Sequence, residues 1–578
     1  MKTVSWHLHG YQPGDILYRI DNDPRKPIKF QERHSEVSIY IDDIRYDGRN
    51  WTDLMLRLYE KFNHVLKDLS SINAGISVDI EAQTLDLLAL KYPKTFHTLL
   101  CYFNDSNFVF LMTYPYHPIV PHLPRDIQKD LTKIMFSFYR PLTEDELIGV
   151  WFPEGVMTTG SLNILEEISR KESKRAFVVG DDMQVSVGSK LYLFSCNLID
   201  KTNIIGHFRD RELSDAFSFS LLSVNELAER IAHITDPAKD SRGITYLHLL
   251  STDLETLFYG KDKNKQFISL IRELVKRNIK VVNVKDFIQE KLTCRSSLGE
   301  CLRWKVSLID YSSWSGYTDI DNGLSLDSRW LGVRRTDFKA FSREVFGRKI
   351  SQVWKYALMI LQNRILSTIR SLLVQLGLEE YIPRYLYFAF PSYTKTVLGE
   401  KYLSKDMVLG GYQGEDLVAL YALRSYYEAL MASKSCPRFW EVMDTRVTFQ
   451  AGSLMASALN DAFRVSYTMD YKKMQHEILG LLEELLNFYE LYYSYGIYVL
   501  NSVEGWEASR KAWDHCLNFA IGLKDIKGIN ALSRGAYYAL AHEKELLFDV
   551  SFPDDVTCDV GYIPSEYIIG SWRCCEDV

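Results

Sequence analysis

Short apolar runs alternate with longer amphipathic stretches along the first half of the chain. Seven of these runs are typical of buried strands and lie at residues 3–7, 75–79, 108–112, 148–152, 176–180, 246–251 and 280–284. The stretches between them repeat apolar residues every three or four positions, as helices with one buried face do. Strands that alternate with helices pair in parallel through right-handed crossovers. The pattern therefore predicts an α/β fold and favours a barrel, complete or incomplete, over a sandwich.

A doubly wound open sheet is the competing architecture for this half. Such a sheet would carry a glycine-rich phosphate loop after a strand. The sequence contains neither a G-x-G-x-x-G nor a Walker pattern. We therefore assign residues 1–290 to a barrel that carries the catalytic site.

The periodicity changes after about residue 290. Helical spacing without intervening strands continues at residues 353–376, 416–431, 471–492, 508–521 and 531–545. This pattern predicts helices that pack one apolar stripe together. We expect residues 291–547 to form a helical domain that completes the active-site cleft, followed by an irregular tail at 548–578. Residues 311–331 are rich in Ser, Gly, Asp and Trp, and we expect them to form an irregular segment over the active face.

Length and charge narrow the class of protein. A chain of 578 residues is too long for a single hydrophobic core, so two or three domains are expected. A net charge of −7 without a sustained basic run argues against a nucleic-acid partner and against an anionic membrane surface. No apolar run approaches the roughly 18 to 20 residues that a membrane-spanning helix needs.

The amino terminus and the cysteines bear on location and cofactors. Met1-Lys2 leads directly into a strand-like run, without the charged and apolar regions of a secretory signal, so a cytoplasmic location is expected. The nine cysteines are scattered rather than arranged in C-x-x-C pairs. Free thiols are therefore the default expectation, with pairing of Cys294 with Cys301 and of Cys558 with Cys574 or Cys575 as the alternative. We expect no metal site and no cofactor.

Two acidic residues follow apolar strands and are the candidate catalytic groups. The run V-W-F-P-E ends in Glu154, and Pro153 stops the strand just before it. The run at 246–251 leads into Asp253. Because the catalytic groups of barrels lie at the carboxyl ends of strands, two such carboxylates can face each other, as cleavage of a glycosidic bond requires. In the alternative interpretation, both are ordinary acids of surface loops.

Histidines and aromatic residues at other strand ends are candidates for substrate binding. Trp6, His7 and His9 end the first strand, and His117 follows the third. At a shared barrel mouth, imidazoles can hydrogen-bond sugar hydroxyls and rings can stack on sugars. The alternative is that histidines beside prolines merely terminate strands.

A densely charged segment supplies two further candidates. Arg209 stands beside Asp210, and a guanidinium fork there can position a carboxylate or sugar hydroxyls. A solvated charged face is the ordinary alternative for such a segment. Residues 180–184, after the fifth predicted strand, are a second candidate edge of the pocket, with a plain turn as the alternative.

The H-x-H pattern of His7 and His9 also suits a metal-dependent amidohydrolase. A divalent ion would need further imidazoles at later strand ends. His248 lies inside the predicted strand at 246–251 and is poorly positioned for this role. A metal-dependent deacetylase or amidohydrolase therefore stays as an alternative, and a glycan-binding relative that no longer turns over substrate is a third.

Five motifs occur in the same order as in a known family. They are W-H-L-H-G-Y-Q-P, Y-P-Y-H-P-I-V-P, V-W-F-P-E, F-R-D-R-E-L-S-D and S-T-D-L-E, and they span residues 6–255. Together they resemble glycoside hydrolase family 57, which includes α-amylases, 4-α-glucanotransferases and glycogen branching enzymes. The first motif departs from the family pattern by two residues inserted before Gln12. The resemblance covers roughly the first 450 residues.

The resemblance implies a fold and an activity. The implied fold is an incomplete, seven-stranded (β/α) TIM-like barrel followed by a helical domain, in agreement with the strand count. The implied activity is that of a retaining glycoside hydrolase or transglycosylase on α-1,4-linked glucans, so the expected partner is an oligo- or polysaccharide. Glu154 is the implied nucleophile, Asp253 the general acid/base, and Glu255 the second acid of its motif.

A further family motif, which is the fifth in the family's own numbering, is similar to residues 433–440, where Cys436 replaces the usual acid. Trp440 ends this motif. The full predicted substrate-binding set is His7, His9, Trp6, His117, Trp151, Arg209, Asp210, Glu255 and Trp440.

Overall fold

The structure is a computed structural model in two compact units. It describes residues 2–11, 29–32, 35–38, 45–46, 49–143, 145–186, 197–234, 247–258, 262–293, 305–314, 318–319, 324–325, 330, 342–345, 348–351, 354–439 and 445–500. The first unit comprises Met1–Arg329 and Glu379–Asp416, and the second comprises Trp330–Leu378 and Leu417–Val578. The domain division expected at residue 290 stays a prediction. The tail expected at 548–578 lies outside the described residues.

Seven parallel strands close into a barrel in the first unit. They are β1 (Lys2–Gly10), β2 (Ile76–Ile80), β3 (Phe108–Thr113), β4 (Leu147–Trp151), β5 (Arg175–Asp181), β6 (Ile205–Arg209) and β7 (Leu247–Asp253). Each strand pairs in parallel with the next, and β7 pairs with β1. The seven-stranded barrel expected from the sequence is confirmed.

One ring strand differs from the prediction. Six predicted strands are β1 to β5 and β7, but the remaining ring strand is β6, which the sequence analysis treated as a charged segment. Its alternate residues Ile205, His207 and Arg209 are buried, so two polar side chains interrupt its apolar pattern. The predicted strand at 280–284 is an eighth strand, β8 (Ile279–Val282), outside the ring. It pairs with the first half of β1, while β2 pairs with the second half.

The barrel interior is packed with apolar side chains from the strands and from one helix. Phe177 fills the space beside Gly149, where any Cβ would collide with Phe177 and Leu111. Helix Val284–Thr293 follows β8, and its Phe287 joins the interior cluster. The interior is therefore a solid core rather than a pore, and polar chemistry is confined to the carboxyl ends of the strands.

Helices surround the ring and connect its strands. The helices of the first unit are Trp51–Leu56, Leu58–Ser71, Ala82–Lys91, Pro93–Phe103, Arg125–Tyr139, Thr159–Lys171, Arg211–Ser218, Val224–Ile234, Lys263–Lys276, Val284–Thr293, Leu386–Ala389, Pro391–Val397 and Lys405–Leu409. The first unit also contains the 3-10 turns Val120–His122, Arg140–Leu142, Pro153–Gly155, Asp182–Gln184, Leu254–Phe258, Glu379–Tyr385 and Glu400–Tyr402.

Both units also contain short strands outside the barrel ring. In the first unit, Asn197–Ile199 pairs with β6 and with Lys305–Val306. Small antiparallel hairpins join Lys29–Glu32 to Ser35–Ser38, Arg45–Tyr46 to Arg49–Asn50, Thr318–Asp319 to Leu324–Ser325 and, in the second unit, Ser342–Val345 to Arg348–Ser351.

The second unit is helical in its described core, as expected. Its helices are Trp354–Gln375, Asp416–Ala432, Cys436–Phe439, Thr445–Thr468 and Lys472–Leu500. Arg424 Nε lies 2.7 Å from buried Glu428 and 3.0 Å from buried Asp461, so buried carboxylates are paired inside this unit. The helices predicted at 508–521 and 531–545 lie outside the described residues.

Helix Trp354–Gln375 is long and apolar enough to cross a membrane by length and composition alone. It packs against helices Thr445–Thr468 and Lys472–Leu500, and 56% of its most apolar window is buried inside the protein. Its Arg364 forms an ion pair with Glu484. Burial and pairing of this kind are typical of a core helix, so the helix is weak evidence for a membrane span.

Candidate active site

Strand register brings three ionisable residues to one level at the mouth of the barrel. In the parallel ladders, His9 of β1 is the partner of Asp79 of β2 on one side and of Asp253 of β7 on the other. Because partnered residues of parallel strands point to the same face, the imidazole stands between two carboxylates.

Asp79 holds both histidines of the first strand. His9 Nδ1 lies 2.9 Å from Asp79 Oδ2, and His7 Nε2 lies 3.0 Å from Asp79 Oδ1. His117 Nε2 lies 3.1 Å from His9 Nε2, and Tyr11 stacks on His117 with ring centroids 3.9 Å apart. Asp79, His7, His9 and His117 are all buried. A buried carboxylate therefore orients the imidazoles of the barrel mouth.

This cluster contains one charged imidazole and two neutral ones. Burial alone lowers the pKa of His9, but the charge of Asp79, its hydrogen bond and the charges of Asp253 and Glu255 outweigh burial and raise this pKa to about 9. Burial opposes ionisation of Asp79 as well, yet the charge of His9 and hydrogen bonds from both histidines hold its pKa below the usual value. Burial lowers the pKa of His7 and, with the charge of His9, that of His117. An imidazolium–carboxylate pair is thus the stable form at neutral pH.

A second acid, directly after the end of β2, supports the loop that contains Tyr116. Glu81 is fully buried, caps helix Ala82–Lys91 through Thr84 N, and accepts a hydrogen bond from Tyr116 N at 2.6 Å. Burial raises its pKa to about 7, against the lowering effect of these backbone donors. Tyr116 and His117 have φ values of 66° and 53°, a left-handed conformation that is strained for residues with a side chain.

Glu154 stands on a strained turn directly after β4. Its φ is 57° and its ψ is 16°, and the following Gly155 has a φ of 66°. Pro153 ends the strand, and Gly155 N donates to Phe152 O to close the turn. Two successive left-handed residues turn the Glu154 side chain off the line of the strand at the barrel mouth.

Residues 312–314, which belong to none of the barrel strands, pack against this turn. Ser313 Oγ donates to Glu154 O at 2.8 Å, and Trp314 Nε1 donates to Glu154 Oε2 at 3.1 Å. Gln184 Nε2 donates to both Gly155 O and Ser312 O, so one amide joins the turn to the segment. Residues 312–314, which belong to the segment expected over the active face, therefore contact the Glu154 turn, while a cover of the active face by residues 311–331 stays a prediction.

Two arginines converge on one buried carboxylate beside this segment. Arg209 Nε donates to Asp181 Oδ2 at 2.6 Å, and Arg211 Nη2 lies 2.9 Å from Asp181 Oδ1. The Arg209 guanidinium also lies 5.0 Å from the centre of the Trp314 ring. Next to them, burial and the charge of Asp181 raise the pKa of Asp182 to about 7. The predicted pocket edge at 180–184 therefore lies next to the Glu154 turn.

Asp253 is the last residue of β7 and lies across the ring from Glu154. On one side β5 and β6 separate β7 from β4, and on the other side β1, β2 and β3 do. The Asp253 side chain is exposed to solvent at the barrel mouth. Desolvation by the protein atoms around its carboxyl group raises the pKa of Asp253, and the charges of His9 and Arg209 limit the rise. The residue is thus biased towards its protonated form.

Most residues predicted for the site are brought together at this mouth. Trp151 is fully buried, and its ring centroid lies 5.0 Å from that of His7 and 4.8 Å from that of Trp314. Glu255 contributes to the electrostatic environment of His9. The residues that meet are Glu154, Asp253, His7, His9, His117, Trp151, Arg209 and Glu255. Of these, His7 and Trp151 form the floor below the accessible Glu154 and Asp253.

The substrate-binding prediction is wrong for Trp6. Strand alternation points Trp6 outward, where it packs edge-on against Phe217 and Phe267 with ring centroids 4.9 and 5.0 Å away. The W-H-L-H cluster therefore divides between the two faces of β1.

Asp210 has a helix-capping position instead of a site position. Its carboxylate accepts from Leu213 N at 3.0 Å at the start of helix Arg211–Ser218 and lies 3.5 Å from His248. Trp440 lies outside the described residues. Of its motif, Lys434 is buried, and burial lowers its pKa to about 7.

Sequence reasoning missed Asp79, Glu81 and the particular role of Trp314. A signal for the first two was present, because D-I-E at 79–81 repeats the pattern of D-L-E at 253–255 after an apolar strand. Trp314 carried no comparable signal. Within the described residues, no group of three or more His, Cys, Asp or Glu side chains is arranged to hold a metal ion.

Comparison with known proteins identifies the family. A family model for the N-terminal domain of maltose-forming α-amylase-like proteins matches residues 1–330, and the model for their C-terminal domain matches residues 329–550. The chain belongs to the maltose-forming α-amylase-like family. The two family domains meet at residue 330, where the second compact unit begins, but Glu379–Asp416 of the second family domain belong to the first unit. This membership makes the chain a glycoside hydrolase and confirms the amylase resemblance seen in the motifs.

Three solved structures are similar to this chain to different extents. An exo-type maltose-forming amylase from Pyrococcus sp. ST04 is 32% identical, with a TM-score of 0.74 over 89% of this chain and 88% of that chain. A 4-α-glucanotransferase from Thermococcus litoralis matches at 12% identity and a TM-score of 0.44, over 79% of this chain and 60% of that one. A family 57 branching enzyme from Thermococcus kodakaraensis matches at 11% and 0.45, over 84% and 91%. No curated protein sequence matches the chain significantly.

Proposed function

We propose that this member of the maltose-forming α-amylase-like family is a retaining hydrolase that releases maltose from α-1,4-glucans. Glu154 is the proposed nucleophile and Asp253 the proposed general acid/base. Two similarities suggest maltose as the product: membership of a maltose-forming family, and the match over most of this chain to the exo-type maltose-forming amylase from Pyrococcus sp. ST04.

One observation carries the proposal: two accessible acids stand on opposite sides of a mouth where the neighbouring buried carboxylates, Asp79 and Asp181, are already paired. Asp79 is engaged by His7 and His9, and Asp181 is engaged by two arginines. Glu154 and Asp253 are therefore the acids at this mouth best suited to meet a substrate.

The environments of the two acids favour different roles. An ionised nucleophile is favoured by a donor such as the Trp314 indole N–H at 3.1 Å from Glu154 Oε2. A general acid must hold a proton at the start of the cycle, and desolvation by the surrounding protein atoms raises the pKa of Asp253 in the required direction. Different environments that separate two carboxyl groups in this way are typical of acid and nucleophile pairs.

The proposed reaction has two steps. In the first, a Glu154 oxygen bonds to the anomeric carbon while the glycosidic bond breaks and the departing oxygen takes the proton of Asp253. In the second, the Asp253 carboxylate removes a proton from water, whose oxygen bonds to the anomeric carbon and displaces Glu154. Two inversions at the same carbon yield the α-anomer of maltose.

The test is incubation of the full chain with maltohexaose. We expect maltose as the first and dominant product, and the α-anomer when the products are followed by NMR before mutarotation. Glu154→Gln should reduce turnover on the order of 10⁴-fold or more while near-UV circular dichroism stays unchanged. Turnover that survives this substitution, or β-maltose as the first product, would contradict the assignment.

Product sizes separate hydrolysis from transfer. A glucanotransferase would give a ladder of longer and shorter maltooligosaccharides from maltohexaose instead of accumulating maltose. Reduction of the substrate's reducing end with borohydride tests exo action from the other end: maltose should still be released at an unchanged initial rate.

A further inference from the structure

The segment around Trp314 lies outside the ring strands, yet it contacts the proposed nucleophile three times. Trp314 N and Ser313 Oγ donate to the backbone oxygen of Glu154 at 3.2 and 2.8 Å. The indole Nε1 of Trp314 donates to the carboxylate oxygen Oε2 at 3.1 Å. Backbone and side chain of Glu154 are thus held by the same short stretch.

Trp314 is itself fixed from several directions. Arg211 Nη2 donates to Trp314 O at 2.8 Å, while the Arg209 guanidinium lies over the indole ring. Trp151 packs edge-on against the same ring with centroids 4.8 Å apart. Both arginines are anchored on buried Asp181. The donor is therefore preorganised by a network that reaches from β5 and β6 to the turn after β4.

We infer that Trp314 is a positioning residue, whose indole N–H fixes the orientation of the Glu154 carboxylate for attack on the sugar. The inference rests on the proposed role of Glu154. A hydrogen bond to one carboxylate oxygen restricts rotation of the group and so sets the direction of the other oxygen. Orientation of this kind matters because a nucleophile displaced by about 1 Å can lose roughly 10²-fold in rate.

The left-handed turn explains why such a clamp is needed. Glu154 follows the end of β4, so no strand ladder fixes its backbone, and its φ of 57° is strained for a residue with a side chain. Donors on both its backbone oxygen and its carboxylate supply the restraint that a strand would otherwise give.

Trp314→Phe tests the inference, because it keeps an aromatic ring and removes the N–H. We expect kcat on 4-nitrophenyl α-maltoside to fall about tenfold to a hundredfold with KM changed less than threefold. The acidic limb of the pH profile should move to higher pH, since loss of a donor disfavours the ionised carboxylate. Trp6→Phe is the matched control: the same substitution at a buried tryptophan on the outer face of β1 should leave kcat and the pH profile unchanged.

Azide rescue then asks whether Trp314 acts through Glu154. In Glu154→Ala, azide takes the place of the carboxylate: its nitrogen bonds to the anomeric carbon, the bond to the phenolic oxygen breaks, and 4-nitrophenolate leaves. The product expected is β-maltosyl azide. Adding Trp314→Phe to this background should change the rescued rate less than twofold, because the group that Trp314 orients is gone.

The outcomes are separable. Wild-type kcat in Trp314→Phe would overturn the inference, and so would an equal loss of rate in the presence and absence of Glu154, which would mean that Trp314 acts on the substrate or on the fold. Full activity of Glu154→Ala without azide would instead refute the proposed nucleophile and, with it, the role inferred for Trp314.

Discussion

The two sides of the barrel mouth hold their acids by different means. On the β7 side, Asp253 is a strand residue whose position follows from parallel register with His9, and Asp79 occupies the matching place on the far side of that histidine. On the β4 side, Glu154 lies past the strand in a left-handed turn and is held by Trp314, a residue 160 positions later in the sequence.

This difference separates local from long-range control of the site. The Asp253 side needs only correct pairing of neighbouring strands, and its buried charges balance each other within that pairing. The Glu154 side needs Asp181, two arginines and a segment beyond the barrel strands. We therefore expect the first side to respond mainly to changes in charge and the second mainly to changes in backbone geometry.

The largest expected effect comes from Asp253→Asn on the β7 side of the mouth, which we expect to respond mainly to changes in charge. Loss of the general acid should reduce kcat/KM on maltohexaose about 10²- to 10⁴-fold. The loss should be much smaller for the first step on 4-nitrophenyl α-maltoside, because 4-nitrophenolate leaves without needing a proton. Pre-steady-state release of nitrophenolate measures that step. Equal losses on both substrates would remove Asp253 from the acid role.

The next effect concerns the pH dependence of stability on the same side. The pKa of His9 in the folded protein is about 9, above the 6.5 of an unperturbed histidine. Its stabilising contribution is therefore complete below pH 6.5 and is lost as the pH rises through 9, a change of about 3 kcal/mol in the free energy of unfolding. Asp79→Asn removes the main partner of His9, so its destabilisation should be largest at pH 6.5 and shrink towards pH 9.5.

Urea unfolding of both proteins across this pH range measures the difference. Comparing them at each pH cancels groups that both share, including Glu81, Asp182 and Lys434, whose shifted pKa values of about 7 also fall near this range. Asp253, Glu255, His7 and His117 face His9 in both proteins as well. A destabilisation that does not vary with pH would show that Asp79 supports the fold without an ion pair.

The smallest expected effect is on the β4 side of the mouth, which we expect to respond mainly to changes in backbone geometry. Gly155→Ala places a side chain at a φ of 66°, with its Cβ 3.4 Å from Trp314, and should cost about 1 to 2 kcal/mol of unfolding free energy. Activity should fall with it, because the Glu154 turn would relax. Gly160→Ala is the matched control, since this glycine lies in helix Thr159–Lys171 and its Cβ would make only an ordinary van der Waals contact with Thr158 Oγ1, at 3.7 Å. It should be neutral or slightly stabilising.

The sequence predicted those parts of the fold that depend on periodicity. Alternating strands and helices led to the barrel, and three- and four-residue spacing led to the helical second unit. The exception is instructive: β6 carries His207 and Arg209 on its buried positions, so its apolar pattern is broken where the site begins. A strand that contributes polar groups to a site loses the signal that identifies it as a strand.

The site was predictable to the extent that motifs mark strand ends. Glu154, Asp253 and the histidines of β1 follow apolar runs and were found in this way. Trp6 was misassigned because proximity in sequence does not reveal which face of a strand a residue occupies. Trp314 was out of reach because its contact with Glu154 depends on how a distant irregular segment folds back, which no local pattern encodes.

Strand pairing around β1 also has a consequence for how the protein is made. β1 pairs with β2 along its second half, but its other partners are β7 and β8, which are completed only at residue 282. At the usual 5 to 20 residues per second of synthesis, the first strand waits roughly 15 to 55 seconds for them. The nascent chain must therefore carry β1 with unpaired backbone groups for that time, which makes this strand a candidate site for chaperone binding during synthesis.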